Sequence, residues 1–84
     1  MSNYERYVAA FAEALEMEPE EINASLNVKD SEQWTSMSHI TLMSALEDAF
    51  DILLDPDDIL EFDSFQKGIE LLAKHGVEIK KEES

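Results

Sequence analysis

An all-α fold is predicted by three features of the chain. Apolar residues recur at helical spacing in three separate stretches, each wide enough to form one buried face. A residue suited to capping a helix N-terminus precedes each of them, and a shorter stretch carries proline in its first turn. No run of alternating apolar and polar residues marks a strand. The expected architecture is a bundle of three main helices and a short third helix.

The first helix is expected over residues 2–17. Ser2 and Glu5 have the spacing of a capping box, and Tyr4, Val8, Phe11 and Leu15 form the apolar stripe, flanked by Tyr7 and Ala14. Pro19 breaks this helix, because proline cannot continue a helix interior. Pro19-Glu20-Glu21-Ile22 suits an isolated helical turn. Ile22 and Leu26 are expected to anchor the long connection that follows, with residues 29–33 polar and exposed.

Thr35 is the expected cap of a second helix over residues 36–51. Leu42, Leu46 and Phe50 should face the core, with Met43, Ala45 and Ala49 beside them and Met37 and Ile40 half-buried near the open end. Residues 51–56 read as a turn with apolar anchors. Asp55 and Pro56 open the short third helix. Asp63 is the expected cap of the fourth, along which Phe65, Ile69 and Leu72 recur beside Leu71. Lys74 and His75 complement its C-terminal dipole, and Gly76 suits the left-handed cap. The domain is assigned to residues 1–76 and a charged, flexible tail to residues 77–84.

At 84 residues the chain has room for one small domain. Such a domain buries about two thirds of its unfolded surface and offers little space for a deep pocket. Twenty acidic residues against six basic ones give a net charge of −14. That surface repels nucleic acid and anionic lipid, attracts basic protein patches and favours a soluble monomer. The absence of cysteine excludes disulfides, thiolate nucleophiles and zinc–thiolate sites, in keeping with a cytoplasmic compartment. Neither a membrane-spanning run nor a secretory leader is visible.

Few residues carry chemistry. Ser36 and His39 share a helix face, but no orienting acid or oxyanion hole accompanies them, so His39 reads as an exposed polar residue. His75 reads as a helix C-terminal cation. The acids from Asp55 to Asp63 do not form an EF-hand. Counted from Asp55, Leu60 stands where that loop needs glycine and Gln66 where it needs glutamate. No metal site is expected. Met37, Met43 and the aromatics Tyr4, Tyr7, Phe11, Phe50, Phe62 and Phe65 read as core, with room for a small cleft. Trp34 either covers the core edge or meets a partner. Ser36 is either a capping serine or an exposed hydroxyl near a positive helix end, where a phosphodiester is well tolerated.

The run Thr35-Ser36-Met37 resembles the Asp-Ser-Leu or Asp-Ser-Met motif that opens the second helix of acyl carrier proteins. Leu42, Ala45-Leu46-Glu47-Asp48 and Phe50 are similar to that helix's downstream pattern. Glu18-Pro19-Glu20-Glu21-Ile22 resembles the turn after the family's first helix. Pro56-Asp57-Asp58-Ile59 and Asp63-Ser64-Phe65 resemble its third helix and fourth-helix start. Trp34 is similar to the tryptophan of a stand-alone subgroup. The likeness spans about residues 3–75.

The resemblance implies a four-helix acyl-carrier-like bundle that is not an enzyme. Its Ser36 would hold 4′-phosphopantetheine derived from coenzyme A and present acyl groups as thioesters. Thr35, Met37, Ile40, Glu47, Asp48, Asp57 and Asp58 would form the docking surface. The implied partners are a phosphopantetheinyl transferase, an acyl-loading ligase or acyltransferase, and downstream synthase enzymes with basic patches. Thr35 replaces the motif aspartate, which keeps the cap and removes a charge. Ser38, Thr41 and Ser44 are also uncharged, implying a specialised carrier with dedicated partners. Fatty-acid, polyketide and secondary-metabolite pathways all fit. The alternative is an acidic helical interaction module without a prosthetic group.

Overall fold

The computed structural model describes residues 2–80. In chain order it contains α1 (Asn3–Leu15), a single 3₁₀ turn (Pro19–Glu21), α2 (Ser36–Phe50), α3 (Pro56–Glu61) and α4 (Phe65–Lys74). The fold is the expected all-α bundle. Its one sheet-like contact among the described residues is an antiparallel bridge between Asn27 and Ser64.

The helix starts follow the capping chemistry of the sequence. Ser2 Oγ accepts the Glu5 N–H at 3.1 Å, and Glu5 Oε1 accepts the Ser2 N–H at 3.0 Å. Thr35 Oγ1 accepts the Ser38 N–H at 3.2 Å. Asp55 and Asp58 make the same reciprocal box at α3. At α4 the cap is Ser64, not Asp63: Ser64 Oγ accepts the Lys67 N–H at 3.0 Å. Asp63 lies one residue outside the helix because its carbonyl accepts the Val28 N–H at 2.9 Å. The Phe65 N–H in turn reaches the Leu26 carbonyl at 2.9 Å. These two bonds pin the long connection to the α3–α4 junction, with Ile22 buried and Leu26 half-buried as its anchors.

Two helices end earlier than proline or periodicity suggests. α1 stops at Leu15, where Glu16 turns into the left-handed region (φ 56°), and Pro19 then opens the 3₁₀ turn. α2 stops at Phe50, with Asp51 in the same conformation (φ 55°), which aspartate adopts more readily than most side chains. The connection after α2 is extended, so its side chains alternate: Ile52 and Leu54 turn inward while Leu53 stands 81% exposed. Leu53 is therefore not the anchor expected of it.

α1 packs against α2, and the core is aromatic at its centre. Phe11 meets Tyr7, Trp34, Phe62 and Phe65 at ring distances of 5.0, 5.3, 6.0 and 5.4 Å. The buried Tyr7 hydroxyl donates to the Phe65 carbonyl at 2.7 Å, and burial pushes its phenol well above the usual range. Beyond α4 the chain returns to the body. Ile79 is buried, and Asn3 Nδ2 donates to the Glu78 carbonyl at 3.1 Å. The segment expected to begin a flexible tail is thus packed as far as Ile79, because its apolar side chain finds the core. Residues 81–84 lie outside the described residues.

Gly68 sits in α4 where a β-carbon would overlap the Tyr7 hydroxyl and the Phe62 ring. At an exposed helical site, Gly→Ala stabilises by about 0.5–1 kcal/mol. Here Gly68→Ala should instead destabilise by about 1–3 kcal/mol through overpacking. Urea unfolding of the variant checks the sign.

Candidate functional site

The exposed end of α2 gathers the residues singled out around the motif serine. Thr35 already supplies the cap, so the Ser36 hydroxyl is not needed for that purpose. Ser36 is exposed, is the first residue of a 15-residue helix, and shares its first turn with no acidic residue. It lies on the edge of an open groove of about 600 Å³ between α2, α3 and the preceding connection. His39, Ile40, Ile59, Leu60 and Asp63 line the same groove.

Met37 and Ile40 are 76% and 64% exposed, not half-buried. The reason is helical phase. His39, Leu42, Met43 and Leu46 take the inward face, which leaves Met37, Ile40, Thr41, Ser44 and Asp48 on the outward one. Leu60, at 82% exposure, adds an apolar side chain to the groove rim from α3, across from Ile40. Sequence reasoning did not single it out. The available signal was that Ile59 and Phe62 take the inward face of α3, which puts Leu60 off it.

His39 is half-buried rather than the exposed polar residue expected. Trp34 Nε1–H donates to His39 Nδ1 at 2.9 Å. That bond leaves the ring proton on Nε2, which donates to the Ile59 carbonyl at 2.8 Å. Both ring nitrogens are therefore committed, and neither is left to take a proton from Ser36. Trp34 is 3% exposed and packs on Phe11 and Phe62, so it covers the core edge.

The four candidate docking acids separate into two kinds. Asp48 and Asp57 are exposed and enter no salt bridge among the described residues. Glu47 is half-buried, and its Oε2 accepts the Leu54 N–H at 2.9 Å. Asp58 is buried: His75 Nε2 donates to its Oδ2 at 2.8 Å, and Lys74 Nζ lies 3.6 Å from its Oδ1. Asp58 thus leaves the docking surface, because it ties α3 to the end of α4. His75, at the helix terminus, is in turn the hydrogen-bonding partner of that carboxylate. The His75 hydrogen bond holds the Asp58 carboxyl below its usual range against the opposing cost of burial. The Asp55 N–H and the Lys74 charge assist. Thr35 is exposed, and its hydroxyl is engaged with Ser38.

Among the described residues there is no cluster suited to a metal ion, and no helix is long and apolar enough to cross a membrane. Residues 6–72 match the family model described as a phosphopantetheine attachment site. No curated protein and no solved structure matches the chain.

The Asp58 contacts carry a pH signature. A carboxyl whose pKa falls on folding, from an unfolded value of about 3.9, stabilises the fold above that value. The contribution is lost as pH falls through the folded pKa. Asp58→Asn should therefore lower stability near neutrality and flatten the loss of stability in acid. Urea midpoints taken from neutral pH down to about pH 3 test this, since the unfolded carboxyl protonates in that range. An acid limb as steep as the wild type's would refute it.

Proposed function

This chain belongs to the phosphopantetheine attachment family, whose members are non-catalytic carriers, and from that premise we propose that Ser36 is its attachment residue. The observation that carries the reading is an exposed hydroxyl on the first residue of α2, with capping already supplied by Thr35. The residues present fit the covalent 4′-phosphopantetheine of the family. When bound, the group supplies a terminal thiol that carries an acyl substituent as a thioester.

The chain's own residues tether and present. The first-turn N–H groups of α2 point towards the Ser36 end, where the helix dipole favours a phosphate. No carboxylate in that turn opposes it. The helix gives the serine a rigid base, and tethering raises the local concentration of the carried group at a docked enzyme. Family members meet phosphopantetheinyl transferases and synthase enzymes. For this chain we place the docking face on Met37, Ile40 and Leu60 as apolar contacts. Asp48 and Asp57 add charge, and Thr35 lies beside the serine. Glu47 contributes only through the oxygen not held by Leu54. A loading ligase or acyltransferase with a basic patch fits this surface. Binding there is weak and salt-sensitive, because exposed charges are screened. The uncharged Thr35, Ser38, Thr41 and Ser44 support a specialised carrier with dedicated partners, and the self-repulsion of a net charge of −14 supports a monomer.

Intact mass after incubation with coenzyme A and a broad-specificity phosphopantetheinyl transferase tests the assignment. The expected result is a gain of one phosphopantetheine group that Ser36→Ala abolishes. A gain that survives in Ser36→Ala places the attachment elsewhere. No gain in the wild type means either that Thr35 restricts the site to a dedicated transferase or that the chain is an interaction module.

Reversing Asp48 and Asp57 to lysine should slow that modification, most at low ionic strength, and leave the thermal midpoint close to wild type. An unchanged rate removes these acids from the docking face.

A further inference from the structure

We propose that His39 is a specificity-determining residue. By clasping α3 to α2 beneath the Ser36 groove, it keeps the carried group outside the bundle, so the cargo is a short acyl group rather than a long alkyl chain. The proposal rests on the reading of Ser36 as the tether point.

A long alkyl chain held at Ser36 gains free energy for every methylene it takes out of water. The nearest apolar interior lies below the groove, between α2 and α3. That route is closed. The Trp34 indole N–H, the His39 ring and the Ile59 carbonyl form one hydrogen-bonded line from the connection before α2, through α2, to α3. Behind the line stand Trp34 and Phe62, 3% and 2% exposed, both packed on Phe11. A chain entering there must part the two hydrogen bonds and push two rings out of the aromatic cluster. The groups left unpartnered and the two rings driven out of the cluster together offset the gain from many methylenes.

A second observation points the same way. α3 is held at two places by different chemistry: the Ile59 carbonyl fastens it to His39 on α2, and Asp58 fastens it to His75 and Lys74 at the end of α4. A short helix gripped from both sides does not swing away to admit a chain. The outer groove remains. Its lining is mostly apolar, from Val28, Trp34, Ile40, Ile59, Leu60 and Phe62, and it lies open to solvent, so it covers one side of a short group without burying a long chain.

The test does not depend on enzymatic attachment. The chain has no cysteine and a single tryptophan, so Ser36→Cys creates a unique thiol and Trp34 is a unique reporter. That thiol is alkylated with an iodoacetamide bearing either a methyl or a decyl group on the same flexible linker, and intact mass verifies a single addition. The expected result is the same Trp34 indole N–H resonance in both adducts, with thermal midpoints within about 1 °C of each other. A shifted indole resonance together with a raised midpoint in the decyl adduct overturns the proposal.

Adding His39→Phe keeps a ring in place and removes both hydrogen bonds. There the decyl adduct, but not the methyl adduct, should gain several degrees. No gain means that something other than His39 excludes the chain, which also overturns the proposal. Should that variant not fold, His39→Leu removes the same two bonds with a smaller side chain, with the same two outcomes read from the midpoint. Loss of the carrier reading would instead show as no mass gain on the wild-type serine, a separate result.

Discussion

Phe11 joins α1 to the start of α2 and to the junction of α3 with α4. From α1 its ring meets Trp34 just before α2, Phe62 just after α3 and Phe65 at the start of α4. Tyr7, one helical turn earlier, extends the cluster and fixes it with a hydrogen bond to the Phe65 carbonyl. Such ring pairs are non-local and directional, so a single cluster sets the relative placement of all four helices. Gly68 is the complement of this packing, because only a missing β-carbon lets α4 approach Tyr7 and Phe62 so closely. The position of α3 beside Ser36, and hence the groove, is inherited from it.

Polar groups then decide how the helices lock. Trp34 presents its indole N–H at the edge of the aromatic cluster, and an apolar environment makes an unpaired donor costly. His39 answers it and passes the interaction on to Ile59, joining core to groove floor. One residue before Ile59, Asp58 is sunk among His75, Lys74 and the Asp55 N–H. A chain carrying a net charge of −14 has every reason to keep its acids in water. Two of them, Glu47 and Asp58, are nonetheless drawn inward because each satisfies a backbone or side-chain donor there. The acidity left for partners is smaller and more localised than composition suggests.

Much of the fold was legible because its signals are local. Capping residues, proline at the start of short turns, and helical spacing of apolar residues all act within a few positions, and the helices appear where those signals place them. The candidate site was legible in part for the same reason: Thr35, Ser36 and Met37 stand at a helix start, and helix starts are exposed. Failures arose where distant segments compete for the same group. Asp63 lost the cap of α4 because Val28 claims its carbonyl. Leu53 and Leu60 look like core residues in composition and stand in solvent, since alternation and helical phase turn them outward. Ile79 looked like part of a charged tail and is buried.

The sequence by itself determined the helical class, the caps of the first three helices, the family and the identity of an exposed serine at the head of the second helix. Those properties depend on periodicity, capping and a motif, each read over a short span of chain. Only the tertiary structure decided that His39 faces Trp34 and Ile59, that Asp58 is an internal latch, and that Leu60 comes to the rim of the Ser36 groove. Each of these joins residues on different elements. No local pattern encodes such a pairing, which exists only once Phe11 and its neighbours have set the helices against one another.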